Sequence, residues 1–196
     1  MIRQGAEPKR ALDHSGRMRL RAQWSCVPWR DQRLGEMQVR KIVVLDVREI
    51  LLNKGEPFHV IMTSVEGLGP DDIFELHATF EPTPLIRLLS NRGFRHAVRT
   101  LADDHVVTQF TQDERPLPYW YLDNRGLEPP QPMLRTLALL DEEPQFQAGT
   151  MGLEIWNDRV PVFLLPEVEA RGLTYEIVEN DDGARVKLYK SANSTS

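Results

Sequence analysis

Cysteine is almost missing from this chain: Cys26 stands alone among 196 residues. One cysteine forms no intramolecular disulfide and fills no four-cysteine zinc site, which points to a reducing cytoplasm. No apolar run reaches bilayer-spanning length, and the first residues lack the apolar segment of a secretory signal. Chemical signatures are equally scarce. The chain holds no Gly-rich phosphate loop, no H-E-x-x-H zinc motif and no Ser-His-Asp order. Glu and Asp are plentiful, but a pair of catalytic carboxylates needs a cleft that sequence does not locate. The hydrophobic fraction of 41% and charged fraction of 27% are those of a soluble globular protein.

Charge is unevenly spread. Residues 1–41 hold ten Lys/Arg and four Asp/Glu, leaving fourteen basic and twenty-five acidic residues for the rest. An acidic body repels nucleic-acid phosphates. The Arg-rich, aliphatic-poor first stretch, taken as 1–40, reads as a disordered basic tail, with Met37 as an alternative beginning. Any nucleic-acid contact would be weak and confined to this tail, where Trp24 and Trp29 could stack on bases.

Order begins with Ile42 to Val47, an apolar, β-branched run of strand length. Pro57 then opens a helix whose apolar stripe is Phe58, Ile61, Met62, Val65 and Leu68. Ile73 to Ala78 reads as a strand, Leu85 to Ser90 as a short helix, and Arg95 to Leu101 with His105 to Phe110 as two more strands. After the polar linker 112–117 the series returns. Tyr119 to Asp123 is a strand, Pro132 opens a helix, and Met151 to Trp156 is a strand. Pro161 leads into a helix through Val168, and Thr174 to Val178 with Ala184 to Tyr189 form a hairpin around Asn180 to Gly183.

The landmarks keep step. Leu45-Asp46 matches Leu122-Asp123, Pro57 matches Pro132, Pro82 matches Pro161, and Arg92-Gly93 matches Arg171-Gly172. The interval from Pro82 to Arg92 equals that from Pro161 to Arg171. These agreements imply a tandem duplication: a first unit over 41–111 and a second over 118–190, each β-α-β-α-β-β, with a short tail at 191–196. The fold class expected is α+β, as two tandem two-layer α/β sandwiches. Each unit is near the lower size limit for folding alone, and each leaves one sheet face to be covered by its twin or by a homodimer partner.

The stretch Leu122-Asp123-Asn124-Arg125-Gly126-Leu127-Glu128-Pro129-Pro130-Gln131-Pro132 resembles the hallmark of the TusA/SirA-like domain, a strand ending Leu-Asp, then Gly-Leu, then Cys-Pro-x-Pro at a helix start. More closely, the two units together resemble the bacterial family called domain of unknown function 2249, which shares that fold and often occurs in tandem. The resemblance covers roughly residues 42–190. It implies a setting in redox or anaerobic metabolism. In TusA-type carriers a cysteine at the helix start holds persulfide sulfur, its pKa lowered by the helix N-terminus. Here that position is Pro129, and Ile50 to Glu56 in the first unit holds no cysteine. Proline has no nucleophilic side chain, so sulfur relay at that position is excluded.

Candidate ligand-binding residues gather at the helix starts and strand ends. Arg48 with Glu56, and Arg125 with Glu128 and Gln131, stand at the two entrances, where free N–H groups favour an anion. Against this, Pro57, Pro129, Pro130 and Pro132 delete donors, and internal capping by the glutamates is the plainer reading. His77 with Glu81 ends one strand, and Asn157-Asp158 takes the corresponding turn of the second unit. His59, His77, His96 and His105 fall in the first unit and offer a metal or haem reading, with His96 and His105 as possible cross-strand neighbours; surface and turn roles weigh more. Trp120 and Trp156 suit the core or the contact between units.

Three functional readings follow. The first is a non-catalytic binding or interaction module that takes a protein partner or small ligand in the groove between units, with no cofactor and no membrane role. The second is a metal- or haem-linked accessory protein using the histidines. The third, an enzyme with acid/base groups in that groove, has the least support.

Overall fold

The computed structural model describes residues 40–113, 115 and 117–191. Expectations placed on the tails, with Trp24, Cys26, Trp29 and Met37, lie outside the described residues. The first repeat runs β1 (Ile42–Asp46), α1 (Arg48–Leu52), α2 (Phe58–Glu66), β2 (Ile73–Ala78), α3 (Thr83–Ser90), β3 (Arg95–Ala102) and β4 (His105–Thr111). The second runs β5 (Tyr119–Asp123), α4 (Gln131–Glu142), α5 (Pro144–Ala148), β6 (Gly152–Asn157), α6 (Leu165–Ala170), β7 (Thr174–Asn180) and β8 (Gly183–Tyr189). The sheets have the same order, β1-β2-β4-β3 and β5-β6-β8-β7. In each, the first two strands are parallel and the remaining pairs antiparallel. The fold is α+β, in two tandem α/β units.

Two short helices, α1 and α5, occupy stretches for which the sequence pattern implies no element. Too short to show a period, they are set by packing: Ile50 and Leu51 lie against the first core, and Phe146 is buried in the second. The helix expected from Pro161 starts only at Leu165. In α2 the apolar stripe narrows to Ile61, Met62 and Val65, while Phe58 is half exposed. Where the two repeats make the same bend, they use the same chemistry. Gly93 and Gly172 end α3 and α6 at φ of 86° and 69°, a left-handed conformation that glycine adopts without strain. The next residue donates its N–H back into the helix, Phe94 to Leu89 and Leu173 to Val168.

Alternation along the strands divides each sheet. Phe74, Leu76 and Ala78 of β2 point to the helices and form the first core with Leu85, Ile86 and Leu89 of α3. Ile73, Glu75 and His77 point the other way, toward the second repeat. Ile73 packs with Tyr119, Tyr121 and Trp156, and Ala97 and Val107 join the core of the second repeat. Arg99 lies 5.1 Å over the Trp120 ring and donates to Glu143 at 3.2 Å. The open face of the first sheet is therefore covered by its own duplicate. Trp120 and Trp156 serve the core and this contact, as their strand positions imply.

At the centre of the contact is Glu154, 2% exposed. It accepts from Arg40 at 3.0 Å, from Arg115 of the linker at 2.9 Å and from the Trp156 indole at 3.0 Å. A buried carboxylate holds its charge only when so surrounded. Nearby, the Gln109 amide donates to the Tyr121 carbonyl at 3.0 Å and accepts from the Tyr121 N–H at 2.7 Å. β5 is the edge strand of its sheet, and this side chain bonds the Tyr121 peptide groups where a neighbouring strand would.

Candidate ligand-binding site

β5 and β6 run parallel and end together, which brings the two following turns side by side. The Asn124 N–H donates to the Trp156 carbonyl at 2.8 Å, and the Gly126 N–H donates to the Asp158 carboxylate at 2.9 Å. Between these turns and the start of α4 lies a cavity of about 850 Å3. Its apolar wall includes Leu127, Met133, Val160 and Leu164, and Val162 and Phe163 stand exposed beside it at 58% and 82%. The size suits a small organic molecule. All lining residues belong to the second repeat. The groove expected between the repeats is instead filled by the packed and hydrogen-bonded side chains described above.

Two buried amides line this cavity. Asn124 is 1% exposed and Asn157 5%. Asn124 donates through Nδ2 to Thr136 Oγ1 at 3.2 Å, but its Oδ1 has no partner. Asn157 has none for either Nδ2 or Oδ1. Nearly all buried polar groups in native proteins are hydrogen-bonded, and each one left unpaired costs about 1–3 kcal/mol. All three atoms belong to residues that line one cavity.

Of the residues singled out in sequence, Glu128, Asn157 and Asp158 meet here. Gln131 is exposed at the start of α4 and does not line the cavity. Arg125 turns away: it chelates Asp123, donates to the Arg40 carbonyl at 2.8 Å and stacks 5.1 Å from Trp156. An anion at this helix start finds few donors. Pro132 has none, the Gln131 and Leu134 N–H groups bond to the Glu128 and Pro130 carbonyls, and the Gly126 N–H is taken by Asp158. Capping by Glu56 and Glu128 is not made either: both are exposed, and neither α2 nor α4 has a side-chain cap bond.

In the first repeat Arg48 closes on Asp46 at 2.7 Å, beside a smaller cavity of about 400 Å3 that also touches Asp104. The Arg48 hydrogen bond holds the Asp46 carboxyl down to about 2. Glu81 is exposed. The histidines do not gather as a group. His96 stands opposite Phe110 and His105 opposite Ala102, so these two are not cross-strand neighbours. The bulge between Thr100 and Ala102 and the distance along β4 separate them. Instead His77 Nδ1 meets His105 Nε2 at 2.9 Å, and His77 Nε2 meets Glu75 at 3.0 Å. Glu75 also accepts from Gln109 at 2.6 Å. Desolvation first, then the charge of Arg48, pushes the His105 pKa down. Among the described residues no group of three or more His, Cys, Asp or Glu is placed to hold a metal ion.

Residues 44–112 and again 121–190 match one family model, described as an uncharacterized conserved protein, DUF2249. The chain belongs to the DUF2249 family. No curated protein and no solved structure matches it. The two DUF2249 repeats share strand order but differ at the connection after their first strand. In the first repeat that connection carries α1, with Ile50 and Leu51 packed on the core; in the second it lines the open cavity.

Asn124, Leu127, Met133, Val162 and Phe163 were not singled out from the sequence. The unpaired state of Asn124 depends on where Thr136 sits, and the run Val160 to Leu165 has the composition of a helix start. The exposure of Phe163 is the signal that tertiary structure adds.

Proposed function

We propose that this protein is a non-catalytic binding module that takes a small organic molecule in the cavity of its second DUF2249 repeat. The observation that carries the reading is an apolar cavity lined by Asn124 and Asn157, whose three unpaired amide atoms lie buried at its wall. Pro129 stands where a sulfur-carrier cysteine would be needed, and its side chain has no nucleophile. The first repeat supplies a covering layer and the Gln109 bridge that hold β5 in place. The cytoplasm is the setting the composition favours, and among the described residues no helix is long and apolar enough to cross a membrane.

Native mass spectrometry of the full chain purified from a bacterial host tests this. A non-covalent adduct below about 1 kDa is expected, a bound the cavity size imposes. It should be retained in His105→Gln and lost when Met133→Trp fills the cavity. Failure of any small molecule to bind the wild-type protein, in native spectra and in a fragment screen, would sink the reading. A metal-linked role narrows to His77 and His105, the two histidines in contact. Stoichiometric metal that disappears in His77→Ala would replace the leading proposal.

A further inference from the structure

The binding reading, on which this inference rests, leaves the ligand's chemistry open, and the polar groups of the cavity restrict it. We infer that the cavity takes an uncharged, ring-bearing molecule with a carboxamide-type edge, an N–H donor next to a carbonyl acceptor, and rejects the anion of the same shape. Asn157 carries one unpaired donor and one unpaired acceptor on a single planar group buried at the cavity wall. Asn124 adds a second acceptor, since its donor side is committed to Thr136. The same protein shows how a buried amide of this kind is satisfied. Gln109 gives its N–H to the Tyr121 carbonyl and takes the Tyr121 N–H in return, two bonds to one peptide strand. Asn157 has the same pair of groups without hydrogen-bond partners.

A carboxylate or phosphate would meet the wrong partners. Asn124 Oδ1 is an acceptor only, and two carboxylates, Glu128 and Asp158, line the cavity. Of the backbone donors near the α4 start, those of Gly126, Gln131 and Leu134 are spent and Pro132 has none, and Arg125 is held by Asp123. Arg159 is the one cation among the lining residues, and it is exposed. An amide-bearing ring meets Leu127, Met133 and Leu164 with its apolar faces. The unpaired polar atoms of both asparagines lie behind the cavity wall, closed off from bulk solvent. Binding includes a turn of the Asn157 side chain toward the ring's amide edge.

Three probes of one shape test this on the full chain: benzamide, benzoate and toluene, titrated at pH 7 and followed by side-chain amide NMR. Benzamide should shift the Asn124 and Asn157 side-chain signals and bind about tenfold or more tighter than either analogue, as expected when one partner of a buried polar pair is missing or charged. Asn157→Leu should bring benzamide down to the level of toluene. Glu128→Gln lies at an exposed position and leaves the core untouched; it should narrow the gap between benzoate and benzamide. Equal binding of benzamide and benzoate, or tightest binding of toluene, overturns the inference and leaves the cavity reading standing. No binding of any of the three, together with no adduct in native spectra, ends both.

Discussion

Asp46 and Arg48 sit two residues apart, and their ion pair shows how little of this protein's local electrostatics is needed for its fold. The Arg48 bond depresses the Asp46 pKa from 3.8 to about 2. A depressed carboxyl stabilises the folded state above its unfolded value, and that contribution is lost as pH falls through about 2. Both side chains are more than a third exposed, so solvent screens the pair and the stabilisation is small. Arg48→Ala should return the Asp46 titration toward 3.8, read by carboxyl NMR, with little change in the urea midpoint at pH 7. An unmoved Asp46 titration would refute the pairing. His105 behaves oppositely to an exposed histidine. Burial and the Arg48 charge lower its pKa below 6.5. The fold should therefore lose stability as pH drops below about 6.5, and His105→Gln should flatten that part of the profile. His77, Asp46 and Asp104 are the other charged or titratable groups acting on it. Gly183 is a different kind of residue constraint. At φ 114°, a Cβ there would lie 2.2 Å from the Asn157 carbonyl. Gly183→Ala should destabilise by about 2 kcal/mol or more, as overpacking and a strained φ do. It should also displace the Asn157 side-chain NMR signals, because the β8 start props the end of β6 from behind.

At the scale of elements, the edge of β5 is the telling feature. Edge strands are usually covered, charged or shortened; here one glutamine does the work of a strand. Gln109→Leu would leave the Tyr121 N–H and carbonyl without their side-chain partners and remove the donor to Glu75. The expected loss is roughly 2 kcal/mol or more, from two or three unpaired buried groups. Amide hydrogen exchange at Tyr121 should rise with it. Unchanged exchange at that residue would show the bridge to be dispensable. Most elements were legible in the sequence because their patterns are local. The alternation in β2 and the turn at Asn180 to Gly183 are set by neighbours a few residues away. α1 and α5, five residues each, carry too little pattern to be read and exist because Ile50, Leu51 and Phe146 find cores to enter.

For the molecule as a whole, the contact between repeats decides cooperativity. Glu154, Arg40, Arg115 and Trp156 bind the first repeat's entrance, the linker and β6 into one polar cluster inside an apolar seam. Glu154→Ala would take a buried counter-ion from Arg40 and Arg115, although Arg115 keeps Asp113, at a cost of about 3 kcal/mol. Unfolding of the wild type should be a single transition. With Trp24 and Trp29 replaced by Phe, Trp120 and Trp156 fluorescence reports the second repeat and its contact with the first, and far-ultraviolet circular dichroism reports both repeats. Coincident midpoints are expected, and two separated transitions would show that the repeats fold independently.

The duplication, the α+β class and most strands and helices were determined by the sequence itself, through short-range periodicity and a landmark series that occurs twice. So was the lack of a nucleophilic side chain at position 129, since Pro129 is a matter of residue identity. Glu128, Asn157 and Asp158 could be marked because they follow strand ends or precede a helix. Only the tertiary structure decided that these three share a cavity with Asn124 and Phe163, that Arg125 leaves it for Asp123 and Arg40, and that His105 meets His77 rather than His96. Those outcomes depend on which side chain fills the space opposite another, and on whether a buried polar atom finds its partner. Both are properties of residues far apart in the chain, and no local pattern carries them.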